Sequence, residues 1–341
     1  MRSAEGCRLC AKGAKMVLFV TGLCNRCCFY CPLSEKRSKK DVVYANERPA
    51  YSDKDVLDES VKMRALGASI TGGEPLLVLD RTIYYIQLLK REFGKKYHIH
   101  LYTTQVIDKK VADELSSSGL DEIRFHILDK PIRYRDGISY LKNAGVCVGV
   151  EMPLVPLPFM ENRIIEIIKC LDIDFLNLNE LEFSETNYIN MKKMQIETEN
   201  GISAKKSTEF ANKIIDKYKR RIPINFCTAA FKDGIQLRRR LIRTAKNIVK
   251  SYESITEDGT IVRGVIEGDI KDIKDIIGGL PFEEVDGKIY MNAYLLRRVA
   301  SLFADKNVIA YISEVYPTWD ALEVEREYIK DYFEDSHQSK N

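Results

Sequence analysis

Histidine is scarce in this sequence, with four residues in 341, and tryptophan occurs once. His98, His100 and His126 fall inside strand patterns, where a lone imidazole is usually a packed or rim group, so a histidine-based metal site is not expected. No stretch approaches the ~18 consecutive apolar residues of a membrane span. The start, MRSAEGCRLCAKGAK, has no apolar core of the kind a secretion signal needs. Net charge is only +3, too little by itself to argue for nucleic acid or membrane. With 45% apolar and 30% charged residues, the chain reads as an ordinary globular protein, able to bury one large core or two domains. The expected location is the cytoplasm.

Cysteine, by contrast, is plentiful. The nine residues are odd in number and mostly clustered, which fits reduced, metal-binding thiols better than a disulfide framework. The densest stretch is residues 16–33, MVLFVTGLCNRCCFYCPL. Met16–Val20 reads as a buried strand, and the loop after it carries Cys24, Cys28 and Cys31 in C-x3-C-x2-C spacing. Three thiolates on so short a loop can converge on one soft metal centre, and thiolate is the ligand of iron–sulfur clusters. Cys7-x2-Cys10 with Cys24-x2-Cys27 approximates a zinc ribbon, but that reading puts an apolar strand where a ribbon needs turns. It also leaves Cys28 and Cys31 unexplained.

The remaining pattern alternates helix and strand. Helices are expected at Ser52–Leu66 (closed by Gly67), Leu79–Phe93, Asp108–Ser118, Pro131–Ala144 and Glu161–Leu171. Strands are expected at Ala68–Thr71, His98–Thr103, Glu122–Ile127, Val146–Glu151 and Asp174–Asn179. With the first strand that makes six, and such alternation forces parallel strands with right-handed crossovers. Six are too few for a full eight-fold barrel, so an α/β fold with an open six-fold partial barrel is expected. Chemistry should lie at the carboxyl ends of its strands.

Beyond Lys193 the pattern changes. A helix at Ser207–Lys219, a strand at Ile222–Phe226 and a basic helix at Ile235–Lys250 are expected, then a smaller α+β domain. In that domain Glu257-Asp258-Gly259 signals a turn before Thr260–Ile266. Helices at Asp269–Ile277 and Asn292–Ala304 and strands at Lys288–Met291 and Val308–Ile312 follow, with a frayed acidic tail after Tyr332. The expected divisions are 1–15, a Cys-x2-Cys segment; 16–192, the partial barrel; 193–250, a connecting segment; and 251–341, the C-terminal domain.

The C-x3-C-x2-C loop, with aromatic Tyr30 before its last cysteine, resembles the radical S-adenosylmethionine (radical SAM) enzymes. Ser69-Ile70-Thr71-Gly72-Gly73-Glu74-Pro75 carries a second mark of that family, the Gly-Gly-Glu-Pro turn. The whole chain is most similar to archaeal-type proteins related to the pyruvate formate-lyase activating enzyme, strongly so through residue 182. The resemblance implies a six-fold partial barrel and a [4Fe–4S] cluster on Cys24, Cys28 and Cys31 with one iron left open. It implies S-adenosylmethionine (SAM) seated by Gly72, Gly73, Glu74 and Pro75 beside Tyr30, with Thr103, Thr104 and Glu151 as further SAM contacts. The implied activity is reductive cleavage of SAM to a 5′-deoxyadenosyl radical that abstracts hydrogen from a substrate. A low-potential donor of flavodoxin or ferredoxin type would supply the electron.

The substrate is left open among a protein glycine, a small molecule and an RNA, the last held by Arg238, Arg239, Arg240, Arg243, Lys246 and Lys250. A cluster- or zinc-binding scaffold without turnover is the non-enzymatic alternative. His126, Asn177, Asn179, Glu180 and Glu182 are candidate substrate contacts at strand ends. Cys7 and Cys10, with Cys227, are candidates for a second site holding zinc or an auxiliary cluster. Cys27, Cys147 and Cys170 are not expected to bind metal.

Overall fold

The structure is a computed structural model that describes residues 4–303 and 306–329. Its internal contacts divide the chain into two compact units, Met1–Val61 with Ala65–Leu237, and Lys62–Arg64 with Arg238–Asn341. The tail after Tyr332 lies outside the described residues.

The first unit is built on seven parallel strands, β1 (Lys15–Phe19), β2 (Gly67–Thr71), β3 (His98–Thr103), β4 (Glu122–Phe125), β5 (Cys147–Leu154), β6 (Phe175–Glu180) and β7 (Ile224–Cys227), paired in chain order. Two two-residue strands, Tyr44–Ala45 and Arg48–Pro49, extend the β1 edge in antiparallel sense and complete a nine-stranded mixed sheet. This pair lies in the stretch between β1 and the helix Asp53–Lys62, and its Asn46 turn adopts positive φ, 52°. β1 is buried at Lys15, Met16, Leu18 and Phe19 and half-buried at Val17, as suits a strand within a parallel sheet.

Connecting helices span Asp53–Lys62, Leu79–Phe93, Lys109–Ser117, Arg135–Asn143 and Pro158–Cys170. Leu79–Phe93, Lys109–Ser117 and Arg135–Asn143 are followed by glycines in the left-handed region, Gly94 (82°), Gly119 (99°) and Gly145 (85°). Asp108 caps Lys109–Ser117 by accepting from Val111 N at 2.9 Å. The first helix differs from expectation. It stops at Lys62, Arg64 turns left-handed (φ 44°), and Gly67 opens β2 instead of closing the helix. A Cβ on Gly67 would sit 2.1 Å from His98 O, so glycine serves close strand pairing there.

A short helix, Glu5–Ala11, carries Cys7 and Cys10 ahead of β1. The strand expected at Ile222–Phe226 is β7, a full member of the sheet beside β6.

The second unit is a six-stranded antiparallel sheet. Its main path runs Phe282–Val285, Lys288–Met291, Ile261–Gly268, Val308–Val315, Glu323–Tyr328, with Ser254–Ile255 paired to Ile261–Gly268. Helices Lys271–Ile276 and Ala293–Val299 contribute Ile273 and Leu296 to the buried cluster around Ile266, Ile289 and Phe303. The strands Phe282–Val285 and Glu323–Tyr328 were not expected from sequence.

Candidate functional site

At the carboxyl end of β1 the chain enters the cysteine loop under tight backbone control. Gly73 N donates to Thr21 O at 2.7 Å and Glu74 N to Leu23 O at 2.8 Å, so the turn after β2 is laced to the segment leading into Cys24. The two chains approach so closely that a Cβ on Gly72 would lie 2.4 Å from Thr21 O, and one on Gly73 2.3 Å from Leu23 O. Only glycine permits that contact. With both N–H groups engaged, a ligand meeting this turn meets its carbonyl oxygens, which suit a donor such as an ammonium group.

Glu74 is fully buried. Its carboxylate accepts from Leu76 N (3.1 Å), Thr103 Oγ1 (2.8 Å), Thr104 N (2.7 Å) and Thr104 Oγ1 (2.6 Å). It therefore caps the turn Pro75–Val78 and ties β2 to β3. Thr103 and Thr104 turn their hydroxyls to this carboxylate.

Cys24 and Cys28 are half-buried and Cys27 and Cys31 exposed, all as free thiols. Cys31 N donates to Cys28 O at 3.1 Å, closing a tight turn. Burial pushes the Cys24 and Cys28 thiols up, which a cationic metal centre would offset. Among the described residues no three metal-binding groups converge on a single-ion site. A four-iron cluster is larger than one ion and takes its thiolates around a wider perimeter, so three thiols of one loop fit its donor chemistry.

Tyr30 Oη and His126 Nε2 are 2.8 Å apart, and the Tyr30 carbonyl accepts from Asn187 Nδ2 at 3.0 Å. Arg26 pairs with Asp129 at 2.6 Å across the same mouth. A cleft of about 280 Å³ opens here, lined by Cys28, Phe29, Tyr30, Met152, Met160 and Arg163 among others.

The other polar strand residues form a separate, deeper network centred on Arg124, whose role sequence reasoning missed. Its guanidinium contacts Glu122 (2.7 Å), Glu151 (2.8 Å), Tyr102 Oη (3.2 Å) and Cys7 Sγ (3.3 Å). Gly6 N donates to Glu122 at 3.0 Å. Asn179 Nδ2 donates to Glu151 (2.7 Å), Asn177 Nδ2 to Asn179 Oδ1 (3.3 Å) and Asn225 Nδ2 to Asn177 Oδ1 (2.6 Å). Glu151, Asn177 and Asn179 thus belong together. Glu180 lies elsewhere, accepting from Thr208 and Ala229 N, and Glu182 pairs with Lys232. Cys227 accepts from Gln236 at 3.4 Å. Burial pushes the Cys7 thiol up to about 12 and raises Cys10 as well.

Burial also keeps three imidazoles neutral. His98 is pulled down to about 3 by burial and the neighbouring Lys15 charge, His126 to about 4 by burial, and His100 well below its usual value. In the unfolded chain they protonate near 6.5. Between pH 6.5 and 4 the unfolded chain therefore binds more protons, and stability falls as pH falls through that window. Carboxylates held low add to the fall only at its acid end, Glu267, Glu283, Glu323 and Glu327 lying below their usual 4.5 and Asp41 and Asp129 below their usual 3.8. We expect the thermal midpoint of the apoprotein, followed by circular dichroism, to drop steadily from pH 6.5 to 4. A His98→Gln variant should show a shallower slope, and an unchanged slope would refute the assignment.

Comparison with known proteins agrees with this geometry. The radical SAM superfamily profile matches residues 18–129, which hold the cysteine loop and the Gly-Gly-Glu-Pro turn. A domain of unknown function (DUF8061) matches residues 259–329 in the antiparallel unit. A protein of Methanocaldococcus jannaschii described as a "putative glycyl-radical enzyme activating enzyme" is 41% identical over 94% of this chain and 92% of its own length. No described helix is long and apolar enough to cross a membrane. The chain belongs to the radical SAM superfamily of enzymes, among the relatives of the pyruvate formate-lyase activating enzyme.

Proposed function

We propose that Cys24, Cys28 and Cys31 hold a [4Fe–4S] cluster, that Gly72–Pro75 seat SAM beside it, and that the substrate is a glycine in a partner protein. The observation that carries this reading is the lacing of Gly73 and Glu74 to Thr21 and Leu23, which fixes the amino-acid seat and the cluster loop as one piece. Together the two cofactors supply reductive cleavage of SAM to methionine and a 5′-deoxyadenosyl radical. The residues around them bind and orient. Carbonyl oxygens of the Gly-Gly turn receive the methionine ammonium, and Glu74, through Thr103 and Thr104, holds that turn against β3. The apolar cleft beside Cys28 and Tyr30 covers the adenosine and keeps water from it.

The sheet of the first unit serves as a six-fold partial barrel extended by β7. Cys7 Sγ lies within 3.9 Å of Asn177 on β6 and Asn225 on β7 and 3.3 Å from Arg124 on β4. In a flat sheet β4 and β7 stand about 14 Å apart, so a concave sheet is the natural way to meet one sulfur atom. Residues 16–192 are the catalytic module, 1–15 its N-terminal segment, 193–250 a connection and 251–341 an appended domain. The setting is the reducing cytoplasm, with a flavodoxin- or ferredoxin-type donor.

The partner-protein reading takes its substrate class from the described activity of the Methanocaldococcus relative. RNA has less support. Arg238 donates to Glu257 O at 2.9 Å and Arg243 to the Met63 and Arg64 carbonyls, so these side chains are not presented as a phosphate row. An auxiliary metal at Cys7, Cys10 and Cys227 also has less support, because Arg124 already faces Cys7. The test is anaerobic reconstitution followed by iron analysis and a 5′-deoxyadenosine assay with dithionite and SAM. About four irons per chain, the content of one cluster, are expected, with product formed. Zinc in place of iron would overturn the reading, and about eight irons would restore the second site.

A further inference from the structure

We infer that Asn187 is a positioning residue for the cluster, a clamp that holds the peptide between its second and third cysteine ligands. The inference rests on the reading of Cys24, Cys28 and Cys31 as those ligands. Asn187 stands 157 positions from the loop in sequence yet donates from Nδ2 to Tyr30 O at 3.0 Å. Its side chain is fully buried. The same amide donates to Glu182 O at 3.0 Å, and Oδ1 accepts from Ser184 N at 2.8 Å.

Two jobs are combined in this one side chain. Ser184 and Asn187 bond reciprocally, Ser184 N to Oδ1 and Asn187 N to Ser184 Oγ at 3.3 Å, in the manner of a capping box ahead of the helix Tyr188–Lys193. That job needs only an acceptor on residue 187, which a carboxylate supplies equally well. The amide donors serve the second job, fixing the carbonyls of Glu182 and Tyr30. Tyr30 is then held at both ends, its carbonyl by Asn187 and its hydroxyl beside His126. Its peptide leads directly into Cys31, whose own N–H closes the turn on Cys28 O. Rotation of that peptide would swing the Cys31 sulfur and the Tyr30 ring together.

The two jobs separate by mutation. Asn187→Asp, as the carboxylate, keeps the acceptor for Ser184 N and removes both donors, whereas Ser184→Ala removes the Oγ half of the capping pair and leaves the clamp. Full-length wild type and both variants would be reconstituted anaerobically and compared for iron per chain, chelator-induced bleaching and the electron paramagnetic resonance line shape of the reduced cluster. Far-UV circular dichroism of each would check the fold. Asn187→Asp should bleach about tenfold faster with an altered line shape, a factor equal to about 1.4 kcal/mol. Ser184→Ala should stay within about twofold of wild type, the lesser effect of a cap hydrogen bond. Equal bleaching in Asn187→Asp and wild type overturns the clamp, as do equal losses in the two variants. A wild type that binds no iron fails at the earlier step, by removing the cysteine ligands themselves.

Discussion

A Cys28→Ala variant, reconstituted anaerobically beside wild type, is expected to keep only a small fraction of the iron and to form no 5′-deoxyadenosine above background. In the proposed ligand set Cys28 is the middle member, and its carbonyl, not its sulfur, closes the turn with Cys31 N. Alanine therefore preserves the backbone and removes one of three thiolates. A four-iron cluster with one open iron cannot also lose a protein ligand and stay bound, because cysteine thiolates are what hold it. The control is its neighbour. Cys27 is exposed and stands outside the C-x3-C-x2-C spacing, so Cys27→Ala should retain both iron and product. Product from Cys28→Ala would remove Cys28 from the ligand set, and parallel losses in both variants would point to general damage to the loop.

The loop and the turn after β2 were legible because their chemistry is written in consecutive residues. So were most of the parallel strands, which read as short runs between glycine-closed helices; His98–Thr103 falls where expected, and in the antiparallel sheet so does Lys288–Met291. What escaped the sequence depends on pairings across long separations. Asn187 looks like any loop asparagine until its partner, 157 residues away, is known. Arg124 sits in a four-residue strand beside Glu122 and reads as a surface pair, yet its side chain is 3% exposed. The strand Glu323–Tyr328, EVEREY, was hidden by its charges, which suit an edge that must not recruit another strand. Residues 177–182 misled in a finer way. Strict alternation puts Asn177 and Asn179 on one side of β6 and Glu180 on the other, so the polar cluster seen in sequence serves two different places.

The Arg124 network leads to the second large effect. Arg124→Met should destabilise the apoprotein by about 3–5 kcal/mol, read as a lowered urea midpoint, because it strands two carboxylates. Glu122 is fully buried and Glu151 is 14% exposed at its side chain, and Arg124 is the cation that both contact directly. The attraction of the pairs only offsets the cost of dehydrating them, but removing the cation alone leaves that cost uncompensated. The triple variant Glu122→Gln, Arg124→Met, Glu151→Gln should therefore recover much of the loss, since neutral amides need only hydrogen bonds. A second readout follows from Gly6 and Cys7, which the network holds at 3.0 and 3.3 Å. With Arg124 gone, the helix Glu5–Ala11 loses its anchor on the sheet, and Cys7 and Cys10 should become open to alkylation by iodoacetamide, whereas in the wild type burial keeps both thiols protonated and slow to react. Wild-type stability in Arg124→Met would mean that the carboxylates find other protons or partners, and the ionic account of this network would fall.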